Sequence, residues 1–150
     1  ILPVVDYEAY KKYYNYLSKQ MKAYIDIMAE ESNKPSVLDA GVTITLEEYV
    51  GRIIKLYDFK SMYPGFKKIN YIINMLNGKL WVYFGGVDNT PVFDISGRVI
   101  PERLEDFKKN AKKYEGTEFG KKLNEYLELL RSQNNKRTEA VSDYFESLFF

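Results

Sequence analysis

Cysteine and histidine are both missing from this chain. Without cysteine there is no disulfide, no thiolate nucleophile and no sulfur-ligated metal. Without histidine there is no imidazole to ligate zinc or to shuttle protons near neutral pH. Any catalysis would have to rest on carboxylates, lysine, tyrosine or serine, so a non-enzymatic role is expected, with no metal and no cofactor. Long apolar runs are missing too: Leu80 to Phe84 is among the longest, and a bilayer span needs about 20 residues. No transmembrane segment is expected. Neither sign of charge is in excess, since 22 Lys and Arg against 21 Asp and Glu leave +1. A dedicated nucleic-acid binder usually carries a marked basic surplus, so that partner class is disfavoured.

What is present is a folded chain. Hydrophobic residues make up 45%, charged residues 29% and aromatic residues 16%, with fourteen tyrosines and a single tryptophan, Trp81. The length suits one globular domain over residues 1–150, able to bury about two thirds of its unfolded surface. The lack of cysteine suits an exported or surface-associated bacterial protein better than a cytosolic one. An initial Ile1 suits a processed or shortened chain.

Helical patterns dominate. Tyr7, Tyr10, Tyr14, Leu17, Met21, Tyr24 and Met28 recur at three- and four-residue steps, which predicts one amphipathic helix capped by Asp6 and ended near Pro35. Tyr16, Ala23 and Ile27 lie nearly opposite that seam, giving the helix a second contact face. In "TITLEEYVGRIIKLYDF", Thr45 and Glu48 form a capping box, and Leu46, Val50, Ile53, Ile54 and Tyr57 share a face. "FKKINYIINMLNG" reads as a third helix closed by Gly78. Pro101 opens a fourth, which Gly116 ends. Thr117 caps the last stretch, continuous or broken near Asn134-Asn135, with Leu17, Met21, Leu123 and Leu127 expected in the core.

Between them, Leu80–Phe84 and Val92–Ile95 have strand composition around the turn-forming Gly85–Pro91. Strand alternation would place Leu80, Val82 and Phe84 on a core face. Trp81, Tyr83 and Asp94 would share the other face. The expected fold is therefore α+β and mostly helical: five or six helices packed around a small antiparallel β-hairpin at about residues 79–96.

Three surfaces carry functional expectations. The leading one is a protein-interaction or structural module, self-associating or binding another protein, because Tyr, Met and Phe are enriched at interfaces. Its candidates are Tyr7, Tyr10, Tyr14, Tyr16, Phe149 and Phe150. The same tyrosines could equally pack against the body of the protein with their hydroxyls at the rim. The alternative is a small ligand or carbohydrate on the hairpin face, with Trp81, Tyr83, Asp88 and Asp94 stacking and orienting it. Against it, a lone tryptophan is more often core. The third is weak nucleic-acid binding by residues 108–122. There Lys108, Lys109, Lys112, Lys113, Lys121 and Lys122 face only Glu115 and Glu118, a local net of +4. The plainer account is that acids at Glu102, Glu105 and Asp106 and lysines at the far end follow the helix dipole.

Other chemistries fail on spacing. "DNTPVFDISG" has Phe93 where a calcium loop needs glycine, and "YFGG" lacks the spacing of a phosphate loop. Asp88 and Asp94 as a hydrolytic acid pair is no more specific than many such pairs in any protein.

Overall fold

The computed structural model describes residues 5–148. Among them are seven helices and two small two-stranded antiparallel sheets, so the mostly helical α+β expectation holds, with more helices than expected. The chain divides into two compact units between Leu76 and Asn77, a boundary that falls inside a helix.

The first unit begins with a 3-10 helix, η1 (Glu8–Tyr16), whose first turn is held by Asp6 accepting from the Ala9 amide at 3.1 Å. The predicted single helix is broken here. Leu17 turns extended and Ser18 caps a new helix, α1 (Lys19–Asn33), accepting from the Met21 amide. A serine that can bond the backbone two or three residues on competes with helix continuation, so the seam splits at that point. A hairpin of β1 (Val37–Leu38) and β2 (Gly41–Val42) follows, turning through Asp39 and Ala40, both at positive φ. Then comes α2 (Leu46–Met62), capped by Thr45 as expected, its hydroxyl accepting from the Glu48 amide. The core of this unit packs Tyr24, Ile25 and Met28 of α1 with Ile53, Leu56 and Phe59 of α2. The Phe66 ring lies 5.3 Å from Tyr24 and 5.2 Å from Phe59.

One buried cation ties α1 to α2. The Arg52 guanidinium donates to Glu31 at 3.0 Å, to the Lys34 carbonyl at 2.7 Å and to Glu48 at 2.9 Å. The Glu48 side chain thus serves Arg52 and Lys34 instead of closing the expected capping box. The ammonium of Lys34, together with Arg52, holds the Glu48 carboxyl below the usual carboxylate range.

Helix α3 (Ile69–Gly85) enters the second unit and overturns the strand reading of Leu80–Phe84. Those residues are helical, and Gly78 sits mid-helix rather than at a cap. The apolar and aromatic composition that mimics a strand is that of a helix end enclosed by side chains: Leu80, Tyr83 and Phe84 are all at most 1% exposed. The helix stops at Gly86, whose φ of 81° is the left-handed cap geometry open to glycine. The hairpin that remains is β3 (Gly86–Val87) paired with β4 (Thr90–Pro91), inside the expected range but far shorter.

Around that end stand α4 (Pro101–Lys113), α5 (Glu118–Ser132) and α6 (Glu139–Glu146). Of the two alternatives for the last stretch, the break near Asn134-Asn135 is the one found, both residues taking positive φ between α5 and α6. The core is an aromatic cluster: Phe84 lies 5.0 Å from Tyr126 and 6.0 Å from Phe107, and Tyr83 lies 5.7 Å from Phe119. Two carbonyls of the last turn of α3, orphaned by its termination, are met by side chains. Arg103 donates to the Tyr83 carbonyl at 2.6 Å and the Tyr126 hydroxyl to that of Phe84 at 3.1 Å. The Tyr83 hydroxyl donates to Asp106 at 2.7 Å and accepts from Asn110 at 3.1 Å. Burial, with Asp106 beside it, pushes the Tyr83 phenol well above its ordinary value. Leu123 is in this core and Leu127 is half-buried, as are Leu17 and Met21 in the first unit.

Candidate functional site

A 3-10 helix has three residues per turn, so residues three apart stand in line. In η1 this sorts the side chains into three rows. Glu8, Lys11 and Tyr14 form the row that packs on α1. Tyr14 donates to Asp26 at 2.6 Å, and Lys11 bridges Glu8 at 2.9 Å and Asp26 at 3.5 Å. Burial and the Asp26 carboxylate together raise the Tyr14 phenol far above its ordinary value. Ala9, Lys12 and Asn15 form a second row, all exposed.

The third row is Tyr7, Tyr10, Tyr13 and Tyr16. Tyr7 is half-buried, its ring 6.4 Å edge-on to Tyr24 and 6.2 Å from Tyr10. Tyr10 and Tyr13 are each 49% exposed and Tyr16 is 86% exposed. At a rise of about 2 Å per residue the rings repeat every ~6 Å, an open ladder. Lys12 lies over the Tyr13 ring at 5.0 Å, while Tyr16 has no ring or hydrogen-bond partner among the described residues. The 3-10 geometry thus admits Tyr13, which a 3.6-residue seam passes over, and turns Tyr14 inward against α1. The strict spacing of tyrosines at 7, 10, 13 and 16 was the signal for this row.

An open groove of about 540 Å³ lies among η1, α1 and α2, lined on η1 by Glu8 and Lys11 of the packed row. Its floor is apolar: Ala23, Ile27, Phe59 and Met62, with Met62 61% exposed. Its rim carries Glu8, Asp26, Glu30 and Asp58 against Lys11 and Lys55. Lys55 is taken up by both carboxylate oxygens of Glu30, at 2.7 and 2.9 Å, and Lys11 by Glu8 and Asp26. Asp58 has no ion pair or hydrogen bond among the described residues. Ala23 and Ile27 are the second face already visible opposite the seam. Asp58 and Met62, from another helix, could be joined to them only by the fold.

The hairpin platform does not form. Trp81 and Tyr83 stand two residues apart on α3, about 200° around the helix, so they point to opposite sides. Trp81 is 44% exposed and leans on Phe145 with rings 6.1 Å apart, whereas Tyr83 is core. Asp94 organises its own turn, its carboxylate accepting from the Ser96 amide at 2.8 Å, the Ser96 hydroxyl at 2.7 Å and the Arg98 amide at 3.0 Å. The Ser96 and Arg98 donors hold its carboxyl below the usual range. Asp88 is exposed in the β3–β4 loop.

Lys108, Lys109, Lys112 and Lys113 are exposed on α4. Lys108 pairs with Glu105 at 2.7 Å, and Lys112 and Lys113 occupy the last turn, where the dipole favours cations. Phe149 and Phe150 lie outside the described residues. Among the described residues no group of three or more acidic side chains is placed to hold a metal ion, and no helix is long and apolar enough to cross a membrane. No protein-family model matches the chain, and no curated protein or solved structure is significantly similar to it.

Proposed function

We propose that the chain is a non-enzymatic protein-interaction module whose contact surface is the tyrosine ladder of η1. The observation that carries this reading is the row of Tyr10, Tyr13 and Tyr16, held open on a helix whose packed row is largely polar. Tyrosine offers a large rigid contact area at low entropic cost and keeps a hydroxyl for the partner, which is why paratopes and interface centres favour it. Tyr16, the most exposed of the three, has no ring contact or hydrogen bond among the described residues.

A peptide-display selection against the wild-type protein, with the Y10S/Y13S/Y16S variant in parallel, tests the proposal. Sequences enriched on the wild type and lost on the variant support it; sequences retained equally by both sink it. Light scattering over a concentration series separates self-association from binding another protein. A wild type that grows with concentration while the variant stays monomeric makes the partner a second copy.

A further inference from the structure

We infer that the groove among η1, α1 and α2 receives a basic, apolar peptide segment of the partner: leucine-like side chains on its floor, flanked by lysine or arginine at its rim. This deepens the interaction reading above and rests on it.

The floor dictates the apolar half. Ile27, Ala23 and the edge of Phe59 form a fixed surface, and the exposed Met62 is the side chain best suited to remould around different apolar partners. The rim dictates the charge. Four carboxylates face two lysines, leaving two negative charges uncompensated. Both lysines are already engaged by Glu8, Asp26 and Glu30, so an anionic ligand would meet no available cation. A cationic segment meets Asp58, exposed and without an ion pair or hydrogen bond among the described residues.

Asp58 is also badly placed for stability. It sits about one turn from the C-terminal end of α2, where the helix dipole disfavours an anion. Among the described residues it has neither an ion pair nor a hydrogen bond, so its carboxylate is open to a cation from outside. The openness of the groove favours a peptide over a small cationic molecule. Drug-sized ligands are held in sites that enclose most of their surface, whereas an extended peptide can lie in an open groove between helices.

The test uses fluorescence anisotropy of a short labelled peptide repeating Lys-Leu-Leu-Lys, beside its counterpart with glutamate for lysine. The basic peptide binds the wild type and the acidic one does not. D58K weakens binding roughly three- to tenfold, the range of a reversed exposed pair, without lowering Tm, and I27E weakens it about thirtyfold or more, as for a central anchor. D88K, the same charge change in the β3–β4 loop, leaves it unaffected. Equal losses from D58K and D88K reduce the effect to net charge and overturn the inference, as does failure of the basic peptide to bind. If Y10S/Y13S/Y16S weakens binding while D58K and I27E do not, the ladder stands and the groove falls. If none of them does, both readings fall.

Discussion

Tyr10, Tyr13 and Tyr16 in the first unit and Tyr83 and Tyr126 in the second are the same side chain in opposite circumstances. The second pair is at most 1% exposed, each hydroxyl bonded within the unit, each ring against phenylalanine. The first three line a helix that packs through Glu8, Lys11 and Tyr14. Helix type makes the difference: α3, α4 and α5 present broad apolar faces that enclose tyrosine, whereas a 3-10 helix offers only a narrow row for packing and leaves the rest outside. A tyrosine-rich composition therefore means core in one unit and exposed surface in the other.

The largest expected effect sharpens that contrast. Phe84→Ala opens a hole in the middle of the aromatic cluster and costs about 3–5 kcal/mol in denaturant unfolding. Each ladder tyrosine changed to serine costs within about 0.5 kcal/mol, as for surface positions. A ladder substitution as costly as Phe84→Ala would break the comparison by making the row structural.

Next in size, Arg52→Ala removes the cation shared by Glu31 and Glu48. Because those carboxylates are 24% and 32% exposed and water can reach them, the loss is about 2 kcal/mol, below that of a fully buried pair. Unfolding of the two proteins at neutral pH measures it. A linked effect appears in acid. The Glu48 carboxyl is lowered in the folded state from an ordinary value of 4.5, so its contribution is present above that pH and is lost as pH falls through the lowered value. Glu48→Gln flattens that part of the Tm-against-pH curve; an unchanged acid slope rejects the assignment.

The smallest effect is a gain. Ala40 sits at φ 54° in the two-residue turn between β1 and β2, a conformation that costs a residue with a Cβ about 1–2 kcal/mol. Ala40→Gly also produces the Asp-Gly pair that such turns prefer. Because glycine gives back part of this gain in the unfolded chain, the net rise in stability is about 0.5–1 kcal/mol, read as a higher denaturation midpoint.

What the sequence made legible was local. Thr45, Thr117 and Pro101 mark their helix starts because a cap or a first-turn proline acts within three residues. Between Asn134 and Asn135 the sequence left a continuous helix and a break both open, because asparagine is tolerated in a helix as well as at positive φ. The run Leu80–Phe84 misleads because tryptophan, valine, tyrosine and phenylalanine in sequence are equally at home in a strand and in a helix enclosed on several sides, and periodicity does not separate the two. The groove was legible only in its α1 half, through Ala23 and Ile27. Its other wall comes from α2, about thirty residues further on, and no spacing rule links Asp58 to Asp26.

The end of α3 has a consequence for the order in which the second unit assembles. The last carbonyls of that helix are answered by Arg103 and Tyr126, 20 and 42 positions further along the chain. Local propensity starts α3, but its final turn has no lasting partner until α4 and α5 arrive, and loop closure of that length is slow relative to helix growth. The last turn of α3 is thus expected to fray until α4 and α5 dock, an order that pulsed hydrogen exchange during refolding would check by comparing it with the start of the helix.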